Sequence, residues 1–461
     1  MRAIDARLMR LGVLICSAAL SACAGEPASI VTSSVAVADA AQSDRDLPRR
    51  PWLPVTNDAP GKTAPPAFTQ SVTMKEAIHR AVERSPAVKA AFTEIEARHD
   101  DAAQASYKPN PELSLDIENF LGSGAKSGFR VAEETLRISQ LIELGDKRLK
   151  RLRAANLEAS VAGWDYEAAR LAAASRAATA FVDVLVAQQR IDVLERFIKI
   201  ADRTRSAVET QITAGKGIAT DLDRASISVA RAKAGVDSER ARLTGARQSL
   251  SALWGSNKLS FERARGKLDA TPNVPSLERV QTYLAENPAL ARWSDEIGRR
   301  HAMLDVERAK AVPDIKVALG IRHLHEDDTG ALVATVAVPL QVFDRNNGNI
   351  AAANQRIQRA EFDGQAAERD VFSALVAAMG ALRVAKAQIN AVQSGVLPPS
   401  RSTVERTQAG YSEGRFDLFM LLDAQRSLLD AELELVTAQG DYAKAKVQVE
   451  ILIGRALEEA G

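Results

Sequence analysis

One stretch of the sequence carries metal-ligating side chains at close spacing: His323-Leu324-His325-Glu326-Asp327-Asp328. Two imidazoles separated by one residue share a face of an extended strand, and Glu326, Asp327 and Asp328 could add oxygen ligands for a divalent cation. A solvated loop has the same composition and is the preferred reading, so no metal site is assigned. His79, His99 and His301 fall singly along helix-like segments and read as surface residues. Met74, Met303, Met379 and Met420 are too widely spaced for a methionine relay of the copper type. The chain has neither His-Glu-x-x-His nor Gly-x-Ser-x-Gly. Gly124-Ala125-Lys126-Ser127 and Gly215-Lys216-Gly217 lack the phosphate-loop spacing. Neither enzymatic activity nor a cofactor is expected.

Composition narrows the field. The 60 lysines and arginines face 59 aspartates and glutamates. That leaves none of the basic excess a nucleic-acid partner requires. Aromatic residues are only 5% of a chain that is 46% hydrophobic, so alanine and aliphatics carry the apolar content. This suits long, closely packed helices. Two cysteines cannot build a disulfide framework or a four-thiolate metal site.

At the N-terminus, Arg2, Arg7 and Arg10 precede an apolar run from Leu11 to Leu20, the pattern of a secretory signal too short to span a membrane as a helix. The following Leu20-Ser21-Ala22-Cys23-Ala24 resembles a bacterial lipobox, which implies cleavage before Cys23 and its lipidation. Ala24 in place of aspartate implies delivery to the outer membrane. Ordinary cleavage at the same small residues is the alternative. Prolines 27, 48, 51, 54, 60, 65 and 66 then defeat helix and sheet alike, so an extended tether is expected, with folded structure from about Ser71.

Beyond the tether the chain repeats itself. Ala77, Ala81 and Ser85-Pro86-Ala87 match Val280, Leu284 and Asn287-Pro288-Ala289, and Pro109 is matched with Pro313. Gly215 and Ala225 stand 199 residues before Gly414 and Ala424, as Leu253-Trp254-Gly255 stands before Leu452-Ile453-Gly454. The organisation expected is a signal (1–22), a tether (23–70), a first unit (71–256), a linker (257–275), a second unit (276–455) and a short tail (456–461).

Each unit reads as helix, two strands, then very long helices. Leu113, Leu115 and Ile117 alternate with polar residues, as do Leu136 and Ile138. Ile315 to Ile321 and Leu332 to Leu340 follow the same period of two. Such segments suit tilted membrane strands, apolar towards lipid and polar towards a lumen, although a soluble hairpin would look alike. From Asp146 to Ile212 apolar residues recur at helical spacing; those 67 residues would extend about 100 Å. A second helix should run from about Ile218 to Trp254, and Pro398-Pro399 should kink or break its later counterpart. Four strands cannot close a membrane barrel, whose smallest examples have eight. An open sheet in lipid leaves backbone groups unpaired. The chain should therefore oligomerise, and three copies supply twelve strands.

This combination resembles the TolC-type outer-membrane factors over residues 70–456. The turn motifs Ala214-Gly215 with Asp221 and Ala225, and Tyr411-Ser412-Glu413-Gly414 with Asp423-Ala424-Gln425, resemble the family's periplasmic tips. Ser139 to Gly145 and Val338 to Gly348 resemble the strand-to-helix junctions of its heavy-metal cation efflux branch. The resemblance implies a mainly α fold with a small β part: a homotrimer with a twelve-stranded outer-membrane barrel continued by a long periplasmic α-helical barrel. It implies a passive exit duct of a tripartite system, with a periplasmic adaptor and an inner-membrane pump of the resistance-nodulation-division type as partners. Divalent heavy-metal cations are the implied cargo. A drug-efflux or secretion duct, or a lipid-anchored scaffold without a pore, are the alternatives.

The resemblance also assigns roles at the tips. Asp423 corresponds to a constricting aspartate, and Tyr411 and Asp221 to residues that tie neighbouring coiled coils in the closed state. Gly215, Lys216, Ile218, Gly414, Arg415 and Phe416 correspond to the adaptor-facing turns. Phe416 stands where the family has an arginine, and Arg415 is its neighbour.

Overall fold

A computed structural model describes residues 69–268 and 274–457. The signal, Cys23 and the proline-rich stretch to residue 68 lie outside the described residues. The chain opens with strand β1 (Thr69–Thr73) and helix α1 (Met74–Arg84), begun by a reciprocal capping box in which Thr73 and Glu76 each accept the other's backbone N–H. Ser85 then caps α2 (Pro86–Ala105), whose first residue is a proline with no N–H to satisfy. The same device recurs where Asn287 caps α6 (Pro288–Lys310), and there Asn287 also donates to the Leu452 carbonyl. His79, expected at the surface, is half-buried beside Glu83.

Four strands, β2 (Glu112–Glu118), β3 (Glu133–Ile142), β5 (Ile315–Leu324) and β6 (Thr329–Ala337), form an antiparallel sheet in the order β2-β3-β5-β6. Cross-strand pairing lines up Leu113, Ile138, Leu319 and Ala334 in one row and Leu115, Leu136, Ile321 and Leu332 in the next. Most of these side chains are exposed, Leu332 at 89% and Leu113 at 73%. The opposite face is polar and internally paired. Arg322 bonds Thr135, Glu133 and Glu118, and Arg137 approaches Asp116 at 3.5 Å. A sheet that hides its charges and displays its leucines is built for an apolar surround. Expected to reach Leu340, β6 ends at Ala337, since Pro339 can donate no ladder bond.

Below the sheet, α3 (Lys147–Thr213) runs 67 residues, about 100 Å, and turns into α4 (Ala219–Ala252). In the second half, α7 (Asn347–Asn390) passes through a π-helical turn (Ala391–Val396) into α8 (Leu397–Ser412), and α9 (Leu418–Ile453) returns. Of the kink or break expected at Pro398-Pro399, the structure shows a local distortion and no break, a π-helical turn just before the prolines. The two prolines occupy the start of α8, and the wider turn before them absorbs the lost N–H groups. Two cores pin the long helices. One joins Val72, Phe181, Val182, Leu250, Trp254 and Phe261; the other joins Val280, Leu375, Met379, Leu382, Tyr442, Val449 and Ile453. Each fully buried large side chain contributes about 1.5–3 kcal/mol. Within the expected linker, β4 (Phe261–Arg265) pairs in parallel with β1, and α5 (Leu277–Gln281) follows, begun by the Ser276 cap. Five-residue strands without clean alternation gave no sequence signal.

Candidate functional site

The end of the molecule remote from the sheet is formed by two helical turns, residues 214–218 between α3 and α4 and residues 413–417 between α8 and α9. Both close with the same bonds. Gly215 N–H reaches the Ile212 carbonyl and Lys216 N–H the Gln211 carbonyl; Gly414 N–H reaches Tyr411 and Arg415 N–H reaches Gly410. Gly215 and Gly414 have φ of +73° and +72°, the left-handed conformation that completes a Schellman turn. Asp417 then caps α9 by accepting from Met420 N–H, whereas Ile218 caps α4 with no side-chain bond.

Behind the turns, Val208, Ala225, Tyr411, Leu418 and Leu421 form one small core that joins both tips. Tyr411 is buried, and its hydroxyl donates to Gln211 Oε1 at 3.0 Å. Burial, with the nearby Asp221 carboxylate, pushes the phenol above the ordinary tyrosine range. The tie expected between Tyr411 and Asp221 is therefore not the hydrogen bond made within the chain. Gln211 takes the hydroxyl, and Asp221 acts through its charge while lying 3.7 Å from Arg224. Asp423 is exposed, and among the described residues it makes no hydrogen bond or ion pair.

Arg415 pairs with Glu413 at the solvent surface. Phe416 lays its ring against Gly410, where a Cβ would come within 2.2 Å of the ring. Lys216 and Ile218 are exposed, Ile218 at 62%.

Sequence reasoning missed part of the site. Phe419 is 64% exposed and Met420 46%. The unbroken apolar run Leu418-Phe419-Met420-Leu421-Leu422 was the available signal, because one helix stripe cannot bury five consecutive residues. Also missed was the seam of α3 against α9. Ser175–Gln448, Asp183–Lys444, Arg190–Thr437, Arg196–Glu432 and Thr204–Gln425 place a polar contact roughly every two turns, and Gln211–Tyr411 continues the series onto α8. The Thr204–Gln425 pair is fully buried, at 2.9 Å.

The His323 and His325 rings meet edge to face with centroids 4.7 Å apart, but their carboxylate partners diverge. His323 faces Asp328 at 3.7 Å, while His325 turns to Glu134 on β3 at 3.3 Å. The His325 backbone N–H is drawn to the Ala132 carbonyl, and the tight turn with Asp328 at φ +45° leaves Glu326 and Asp327 exposed. No group of three or more His, Cys, Asp or Glu side chains among the described residues could hold a metal ion.

A small membrane-suited sheet set on helices of this length, ending in paired turns, defines the outer-membrane channel class. The chain belongs to the outer membrane efflux protein family, whose model matches residues 77–256 and 280–455. It is accordingly a transport duct and not an enzyme. It is 30% identical over 409 residues to the cobalt-zinc-cadmium resistance protein CzcC of Cupriavidus metallidurans, covering 88% of this chain and 96% of that one. It is 26% identical over 291 residues to the nickel and cobalt resistance protein CnrC of the same organism, covering 62% of this chain and 67% of that one. Its fold is that of a crystal structure of the transmembrane channel CusC, with a TM-score of 0.70 at 17% identity over 89% of this chain and 99% of that one.

Proposed function

We propose that the chain is a lipid-anchored homotrimeric duct that exports divalent heavy-metal cations across the outer membrane, acting with a periplasmic adaptor and an inner-membrane pump of the resistance-nodulation-division type. One observation carries the channel reading. The four-stranded sheet shows lipid an apolar face while β2 and β6 remain unpaired at its edges, an arrangement that only closure with further copies makes tolerable. Three copies give twelve strands, and the two family matches support reading the chain as two copies of one unit. The metal resistance named for both relatives supports the cargo. Anchoring rests on Cys23 in its lipobox-like setting.

In this reading the paired tips are the gate and the adaptor contact. Asp423, three times around a narrow axis, would hold cations and repel anions, since low-dielectric walls focus its field. Tyr411 and Asp221 steady the closed tip, and Ile218, Phe416, Phe419 and Met420 offer apolar contact to the adaptor beside Lys216 and Arg415.

The test is growth of a deletion strain on zinc, cadmium, cobalt, nickel and copper beside a drug panel, with conductance of the purified protein in bilayers. Selective metal sensitivity with a conducting pore is expected. Sensitivity to drugs alone would replace the cargo, and a protein that does not conduct would leave only a scaffold.

A further inference from the structure

The sheet has one feature that the trimer reading alone does not explain. Beyond the end of β6, Val338 to Phe343 is apolar at nearly every position, and among the described residues its apolar side chains lie uncovered while the Gln341 amide donates to the Lys310 carbonyl. Leu340 is 83% exposed, Val342 63% and Phe343 101%. From Thr329 to Gln341 the chain carries no charged residue. Natural sheets seldom leave so long an uncharged edge open.

The first unit shows what covers the matching segment there. β3 outruns β2, so Gln140, Leu141 and Ile142 pair only with β5, opposite Val317, Lys316 and Ile315. Landmarks relate the two units. The helix-opening prolines Pro86 and Pro288 stand 202 residues apart, as do Pro111-Glu112-Leu113 and Pro313-Asp314-Ile315. The left-handed residues that begin α3 and α7, Asp146 and Asn346, stand 200 apart. Applied to first and second strands respectively, these offsets turn the pair Ser114↔Arg137 into Lys316↔Ala337 and Glu118↔Glu133 into Gly320↔Val333. Both pairs are observed. The counterpart of Pro313 is thus Pro111, not Pro109.

Resting on the trimeric reading above, we propose that Val338–Val342 prolongs β6 and pairs antiparallel with β2 of a second copy of this chain, Leu340 opposite Leu115. The same offsets carry the β3–β5 register across the copies and set Val338 opposite Ile117 and Val342 opposite Leu113. Each pair is apolar on the outer face, and Gln341 meets Ser114 on the inner one. Slipping the register by one residue would set Leu340 against Ser114 and mix the faces. Pro339 lacks an N–H, which suits a position paired along one side only.

The test is disulfide trapping of the full-length protein in membranes. Leu340→Cys with Leu115→Cys is compared with Leu340→Cys with Leu113→Cys, the register two residues away that also keeps the faces matched. Adjacent positions bring Cα atoms into the 4.4–6.8 Å range a disulfide needs. A shift from monomer to covalent trimer on a non-reducing gel is expected for the first pair and its loss for the second. Equal or reversed yields overturn the register. A trimer by native mass that neither pair traps overturns the strand extension, whereas a monomer by native mass overturns the trimeric reading beneath it.

Discussion

The two tips share a backbone and differ in chemistry. At 199 residues apart, their closing hydrogen bonds and left-handed glycines coincide. Their side chains do not. Ile212 stands where the second tip has Tyr411, Gly217 where it has Phe416, Met420 where the first has Asp221, and Arg224 where the second has Asp423. In the first tip the carboxylate of Asp221 and the guanidinium of Arg224 answer each other one turn apart. In the second, Asp423 is left exposed with an apolar residue in the matching place. Turn geometry demands glycine whatever the function, while the charge on the flanking turn is free to vary. Under the gate proposed above, the comparison assigns gating to the second tip and scaffolding to the first.

The largest effect should separate the tips most sharply. Asp423→Ala is expected to raise resting conductance and weaken cation block by about tenfold, the lower end of what focused charge achieves. Arg224→Ala at the matching position should leave both within error. Single-channel recordings with a cation titration decide it, and equal responses would dissolve the distinction.

Next comes the seam that joins the tips to the rest of α3 and α9. Thr204→Val keeps the shape but strands the buried Gln425 amide, whose Oε1 already lacks a partner. A loss of about 1–3 kcal/mol is expected, read as a lower melting temperature by circular dichroism. The exposed Thr213→Val is the control, because its hydroxyl bonds only to its own helix.

A third substitution tests what the tips have in common. Gly215→Val and Gly414→Val each force a branched residue into the left-handed region, at about 1–2 kcal/mol. Amide exchange of the adjoining helix ends should accelerate alike in both. Unequal responses would show that one turn is held by something besides its own backbone.

What the sequence disclosed and withheld follows the range of the forces involved. The 67-residue helix was legible to within a residue at each end, because helical periodicity is a local signal repeated many times. Gly215 and Gly414 were legible because a left-handed turn admits few residue types. The β1–β4 ribbon was not, since a parallel pair of five-residue strands is decided by partners almost 200 residues away. The same limit hid Gln211 as the acceptor for Tyr411. Asp221 came from the family resemblance, and which acceptor lies 3.0 Å from the hydroxyl within the chain is decided only by how the tip helices meet. The histidine cluster shows the same limit: adjacency in sequence placed two imidazoles on one strand end, but only the hairpin decides that each takes a different carboxylate partner.

The smallest effect concerns that tyrosine. Tyr411→Phe deletes a neutral bond to a half-buried glutamine, so a loss of about 0.5–1.5 kcal/mol is expected, and Ile212 at the first tip predicts that the turn itself survives. Its pH dependence is more informative than its size. Burial first, and then the Asp221 carboxylate, raise the phenol above its unfolded value. A group that holds its proton more tightly when folded contributes its full stabilisation below the unfolded pKa. That contribution fades as pH rises through the folded one, so the tip should loosen only in strongly alkaline solution. Ultraviolet titration of wild type against Tyr411→Phe should reveal one late-titrating phenol, and Asp221→Asn should bring it partway back. A Tyr411 phenol that titrates in the ordinary tyrosine range would mean that the second tip is already open to water, and that its difference from the first lies in Asp423 alone.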